Sequence, residues 1–244
     1  MSPAGGSLVL LIAYLFASGV GLPWIAWHDA QRARASGQTG VGDMRRAARL
    51  DPGNAEYHHD LAMAALNSGP PAAERYAEAA EELRKARRCN RRDPRFPLLL
   101  ARLEARAGRA IFGDATADAR AAALYAAAAA LAPTDPRPRL EQAGHLAAIG
   151  RLPDAAAALH TALDIEPNYR RAHILRASVL LRLGDRDGTR KAYEALLMSD
   201  RAIEGYQPDS PYASEIIADD ARARAALLAA LAAAPVPIRV PTSG

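Results

Sequence analysis

Cysteine, lysine and aromatic side chains are scarce in this sequence, and each scarcity removes a class of protein. Cys89 is the single cysteine, so neither an intramolecular disulfide nor a cysteine-rich metal centre can form. Aromatic residues make up only 5% of the chain, while alanine fills stretches such as Ala121 to Ala132. A core must therefore come from helices that approach closely on small side chains. No segment alternates polar residues with β-branched or aromatic ones, which argues against strands. Lysine occurs only at Lys85 and Lys191, so nearly all the positive charge behind the formal +4 is arginine. Those arginines alternate with acids instead of clustering among aromatics, a pattern of solvated helix faces and not of a nucleic-acid surface.

Catalytic signatures are missing as well. There is no Gly-rich phosphate loop with lysine, no nucleophile elbow and no metalloprotease motif. His58 and His59 are adjacent, and neighbours on a helix point about 100° apart, too far to chelate one ion. Glu81-Glu82 and Asp219-Asp220 read as solvated helix charges, and Cys89 as an inert, half-buried thiol. No catalytic residue, cofactor or metal is predicted, and the chain reads as a binding protein rather than an enzyme.

What is present begins with an apolar start. From Met1 to His28 there is no formally charged side chain, and residues 8–27 form a 20-residue, mostly apolar run. A helix of that length spans about 30 Å, the hydrocarbon thickness of a bilayer, with Trp24, Trp27 and His28 at the interfacial level. Its length and the lack of a basic start favour a permanent single-pass anchor over a cleaved signal peptide. Arg32, Arg34, Arg45, Arg46 and Arg49 come after the span, which by the positive-inside rule places the rest of the chain in the cytoplasm.

Beyond the apolar run the chain is dominated by self-similarity. Ala143 and Ala177, Leu146 and Leu180, Gly150 and Gly184, and Leu159 and Tyr193 are each 34 residues apart. A glycine ends each of four stretches, at Gly69, Gly108, Gly150 and Gly184, where positive φ would reverse the chain. Pro52, Pro133 and Pro167 close the segments between them. This arrangement resembles the tetratricopeptide repeat (TPR) over roughly residues 43 to 203. The resemblance implies helix A–turn–helix B hairpins with small residues at the eighth, twentieth and twenty-seventh positions. The eighth positions are Ala62, Ala101, Ala143 and Ala177, and the bulky twenty-fourth ones Leu83, Tyr125, Leu159 and Tyr193. The pattern has departures: His58, Pro97, Arg139 and His173 stand where an aromatic is expected at position four, and Thr189 and Leu196 replace small residues, implying looser packing or a slipped register. Gly69-Pro70-Pro71 and Phe112-Gly113-Asp114 mark two lengthened turns.

The predicted fold is thus all-α: an N-terminal transmembrane helix, a right-handed α-solenoid of about four TPR-like hairpins, and a C-terminal capping helix. The expected divisions are an anchor with its helical extension over 1–36, a linker and half-repeat over 37–54, and repeats over 55–93, 94–135, 136–169 and 170–203. A loop and capping helix come next over 204–234, the helix running from Ala213 to Ala233, and an unstructured tail over 235–244. Met44, Ala47 and Leu50 read as a lone helix B whose partner is the anchor helix, continued to about Ser36.

The TPR resemblance also implies a concave groove lined by positions two, five, nine, twelve and thirteen of each helix A. Here those include His59, Arg95, Arg102, Arg106, Arg137, Arg171 and Arg182, with Glu56 the one acid. Guanidinium groups grip carboxylates bidentately, so the implied partner is a protein with an acidic segment or a free C-terminus. The expected role is a scaffold in a bacterial inner-membrane complex, with an accessory subunit of envelope polysaccharide or secretion machinery as the alternative. The run from Leu50 to His58, behind an apolar helix, resembles the junction of O-antigen ligase-type membrane proteins. That likeness implies a periplasmic stack, opposite to the side implied by the arginine count, and leaves the side of the membrane open.

Overall fold

The computed structural model describes residues 14, 17–36 and 40–233. Among the described residues there are twelve α-helices, two π-helical turns and no strand. They run α1 Leu22–Ser36, α2 Val41–Leu50, α3 Ala55–Asn67, α4 Ala73–Cys89, α5 Arg95–Leu103, α6 Ala117–Leu131, α7 Arg137–Ala148, α8 Leu152–Ile165, α9 Arg170–Arg182, α10 Arg186–Ala202, α11 Pro211–Ile217 and α12 Ala221–Ala233. The chain forms two compact units, residues 1–117 and 118–244.

In the first unit, α1 lies against α2, and α3 pairs with α4 in a hairpin on which α5 packs. Ala26, Ala30 and Ala33 of α1 meet Met44, Ala47 and Ala48 of α2 and Tyr57 and Leu61 of α3 in one buried cluster. α2 thus buries its apolar face against α1. Asp29 is 1% exposed and is held by two guanidinium groups, that of Arg32 on its own helix and that of Arg46 on α2, 3.2 Å away. Arg34 reaches Asp60 on α3 at 2.8 Å, and Arg45 reaches Glu78 on α4 at 2.7 Å.

Residues 8–13, 15 and 16 of the proposed membrane run lie outside the described residues. Its described end is not one continuous α-helix: a π-helical turn at Ala17–Gly21 precedes α1. Pro23 supplies no N–H to the turn before it, and a wider turn accommodates the missing bond. Among the described residues no helix is long and apolar enough to cross a membrane. Val20, Trp24 and Trp27 are nonetheless 56%, 60% and 49% exposed.

In the second unit, α7 pairs with α8 and α9 with α10, and α8 packs on α9. The starts of α8 and α10, Leu152 and Arg186, stand 34 residues apart. The last hairpin keeps the repeat register. Neither is it loosely packed: Thr189 and Leu196 are both fully buried, where looser packing was expected. Thr189 hides its hydroxyl by donating to the Asp185 carbonyl at 2.6 Å, and Leu196 joins Leu227 and Leu231 of α12 in a common cluster. A larger side chain is tolerated at this end of the stack because a helix from outside the repeats packs over it.

That covering helix also differs from expectation. In place of one helix from Ala213 to Ala233 there are two, α11 and α12, separated by Ala218 in extended backbone. Asp220 restarts the helix by accepting the Ala223 amide at 2.9 Å. Arg170 and Arg224 converge on Asp200 at 2.8 and 2.7 Å, Arg224 reaches Asp219 at 3.0 Å, and Arg170 donates to the Ile217 carbonyl at 2.8 Å. These contacts bind the α11–α12 corner to α9 and α10.

The turn glycines divide by mechanism. Gly150 and Gly184 have φ of 82° and 76°, the left-handed backbone that ends a helix cheaply only for glycine. Gly108 has no such φ. It lies in the π-helical turn Glu104–Gly108, where a methyl group would overlap the Ala117 side chain. Its requirement is close approach, not chain reversal. Replacing Gly108 by Ala is expected to destabilise the chain by about 1–3 kcal/mol through overpacking. Gly42→Ala, at an exposed helical site with open space around it, should instead stabilise by up to about 1 kcal/mol. Urea denaturation of the two variants checks the opposite signs.

Candidate functional site

The groove residues implied by the sequence fall into different electrostatic situations. Arg95 is matched by Asp93 at 2.7 Å and by Glu56, and lies over the Phe96 ring at 5.5 Å. The hydrogen bonds it donates to Asp93 and then to Glu56 hold its guanidinium more firmly protonated than usual. Arg137 is matched in the same way by a two-point contact with Asp135, with Glu215 3.6 Å away. Arg182 donates to the Ala147 carbonyl at 3.0 Å, and Arg171 is exposed. His59 leans on Phe96 with its Nδ1 3.3 Å from Asp60. Burial alone would raise the Asp60 carboxyl, but hydrogen bonds from His59 and Arg34 outweigh it and hold the group below the usual range.

Arg102 and Arg106 are brought together. They border a cavity of about 390 Å³ in the first unit, between the turn end of the α3–α4 hairpin and α5. Met63, Leu66 and Asn67, at groove positions nine, twelve and thirteen of the first hairpin, line its other side. Leu99, Leu103, Tyr76 and Leu83 supply apolar surface. A third cation, Arg75, enters from the start of α4, its guanidinium anchored on the Pro70 carbonyl. No acidic side chain lines this cavity. Three guanidinium groups around an apolar floor suit a carboxylate attached to an apolar stem.

Sequence reasoning missed Arg75, because it belongs to a helix B, outside the positions that line the groove in this repeat. The one available signal was the Gly69-Pro70-Pro71 insertion, whose carbonyl at Pro70 now fixes the Arg75 head.

The two position-four histidines perform a structural task. His58 Nε2 faces the Pro52 carbonyl at 3.2 Å, and His173 Nε2 faces the Pro167 carbonyl at 2.7 Å. Each ring thus donates to the proline that closes the preceding segment, satisfying a carbonyl left over at a helix end. His58 Nδ1 also meets Glu82 at 2.7 Å, whereas His173 Nδ1 is buried with no partner. Cys89, expected half-buried, is exposed because α4 ends at it, and its Sγ donates to the same Pro52 carbonyl at 3.3 Å. Among the described residues no group of three or more His, Cys, Asp or Glu side chains is placed to hold a metal ion.

No family model matches the chain. A 73-residue stretch, 30% of the chain, is 42% identical to part of a TPR repeat-containing thioredoxin, TTL4, of Arabidopsis thaliana, and this spans only 11% of that protein. Among solved structures, a crystal structure of MamA protein matches with a TM-score of 0.59 at 16% identity, over 80% of this chain and 98% of that one. MamA 41-end from Desulfovibrio magneticus RS-1 matches at 0.59 and 15%, over 78% of this chain and 98% of that one. YrrB, described as a TPR protein with an unusual peptide-binding site, matches at 0.56 and 16%, over 78% and 88%. At these identities the likeness concerns the fold, and the fold is that of stacked TPR-type helical hairpins.

Burial lowers the His173 pKa below its ordinary 6.5, against the opposing hydrogen bond to Pro167. The folded chain keeps this ring neutral while the unfolded chain takes up a proton below about 6.5, so its contribution is complete above that pH and is lost as pH falls. The stability of the parent chain should therefore decline between about pH 7 and pH 5. A His173→Phe variant, with the aromatic expected at this position, should decline less. Urea melts across that range compare the slopes.

Proposed function

We propose that the chain is a TPR-type scaffold, not an enzyme, whose first unit grips an acidic segment or C-terminal carboxylate of a protein partner. The observation that carries this reading is the cavity bordered by Arg75, Arg102 and Arg106 over an apolar floor, with no carboxylate among its lining residues. Charge-assisted, bidentate contacts make such a site selective for carboxylates, and the leucines and Tyr76 reward an apolar neighbour in the peptide. That YrrB is described as having a peptide-binding site is in keeping with this use of the fold. Of the seven groove residues implied by the sequence, Arg102 and Arg106 form the centre of the proposed site. Arg95 and Arg137 have their charge met within the chain. The hairpins act as the repeating units over 55–93, 94–135, 136–169 and 170–203.

The scaffold is further proposed to be tethered to a membrane through residues 8–27. Exposed Val20, Trp24 and Trp27 beside the basic residues of α1 and α2 support this reading, since such a surface suits a bilayer interface. A role in a bacterial inner-membrane complex, or beside envelope polysaccharide or secretion machinery, belongs to the same proposal.

Binding of fluorescein-labelled acidic peptides, followed by anisotropy, tests the grip. The Arg102→Glu/Arg106→Glu variant is expected to bind at least about tenfold more weakly, given ~1.5–3 kcal/mol for a hydrogen bond to a charged group. Arg171→Glu should leave the affinity unchanged. Equal affinity for the doubly reversed variant and the parent chain would remove the basis for this site.

A further inference from the structure

The second unit has a cavity of opposite polarity. It measures about 420 Å³ and lies among the loop before α9, the end of α10, the α10–α11 loop, and α11. Two carboxylates, Glu166 and Asp209, and two tyrosines, Tyr206 and Tyr212, line it above Ile203 and Ile216, and no basic side chain does. We propose that this cavity is a docking pocket for an arginine side chain of a partner protein.

Each wall supplies one part of what a guanidinium needs. Tyr206 and Tyr212 are 47% and 38% exposed, offering ring surface on which a flat cation stacks. The chain already uses one of these rings in that way: the Arg137 guanidinium lies 5.6 Å from the centre of Tyr212, although Arg137 does not line the cavity. Its guanidinium is matched by Asp135, at 2.7 and 3.0 Å. Glu166 accepts the Asn168 amide through Oε1 at 3.2 Å, which fixes the carboxylate and leaves acceptor capacity on its second oxygen. Asp209 is exposed in the loop between α10 and α11. The Tyr212 hydroxyl is held above its ordinary pKa by burial first and then by Glu166 and Asp135, against the opposing effect of Arg137. Lysine fits less well, because a compact ammonium can neither lie flat on a ring nor bond a carboxylate at two points.

This inference does not rest on the acidic-segment site, which uses other residues in the other unit. The test is a titration of the full chain with the peptides Ac-Gly-Arg-Gly-NH2, Ac-Gly-Lys-Gly-NH2 and Ac-Gly-Xaa-Gly-NH2 with citrulline at Xaa, read by the ring signals of Tyr206 and Tyr212 in NMR. The arginine peptide should shift both rings saturably, the lysine peptide should bind at least threefold more weakly, and the uncharged citrulline peptide should give no saturable shift. Glu166→Gln/Asp209→Asn should abolish the response. Tyr206→Ala, in an exposed loop, should weaken it with an unchanged circular dichroism melt, so a folding defect in one variant does not hide the answer. Equal binding of the citrulline peptide, an unaltered response in the folded charge variant, or shifts confined to other residues would overturn the proposal. Acidic-peptide binding should persist in both variants, and its loss or absence bears on the first-unit site alone.

Discussion

The fold depends on one steric condition: paired helices must come close enough that nothing larger than a methyl group fits at their contact. Ala62, Ala101, Ala143 and Ala177 have no exposure at all. The same holds for Ala79 and Ala86, Ala121 and Ala128, and Ala155 and Ala162 on the second helices. Between these small residues, Leu83 and Leu159 are fully buried, and Tyr125 and Tyr193 nearly so. Small residues set the spacing and large ones fill the space between turns. Dispersion and apolar burial then accumulate over many short contacts, so a core forms with little aromatic surface.

Where the condition is relaxed, something else compensates. At the last hairpin Leu196 takes a small residue's place and is covered by α12, which Arg170 and Arg224 hold through Asp200. At the other end, α1 supplies a partner for α2 through the same kind of alanine contact and buries Asp29 beneath Arg32 and Arg46. A repeat array exposes apolar surface at each terminus, and here both termini recruit a helix that the repeat pattern does not contain.

Electrostatics divides the two units. Several arginines sit beside an acid close in sequence or on an adjacent helix, as Arg95 does with Asp93 and Glu56, and Arg137 with Asp135. Exposed pairs of this kind contribute little to stability, but they cancel charge locally and so decide where a field survives. The lining is basic in the cavity bordered by Arg75, Arg102 and Arg106, and acidic in the one bordered by Glu166 and Asp209. A count of arginines along the groove positions could not reveal this, because it weighs every guanidinium equally, whatever stands beside it.

The sequence by itself determined the hairpins. The 34-residue spacing, the alanines at the eighth positions and the closing prolines depend on helix geometry and side-chain size, which a linear pattern records directly. It also placed Arg102 and Arg106 on one helix face, four residues apart. Tertiary structure decided what depends on neighbours distant in the chain. Gly108 is required by the Ala117 methyl group and not by its own φ, and Leu196 is buried in a cluster with Leu227 and Leu231 of α12. Arg75 joins the basic cavity because the Pro70 carbonyl turns its head, and the Glu166–Asp209 pocket exists because the α10–α11 loop returns to the entrance of α9. Periodicity encodes which face of a helix is inward; which charge is cancelled, and which cavity remains open, is set by chain segments that only folding brings together.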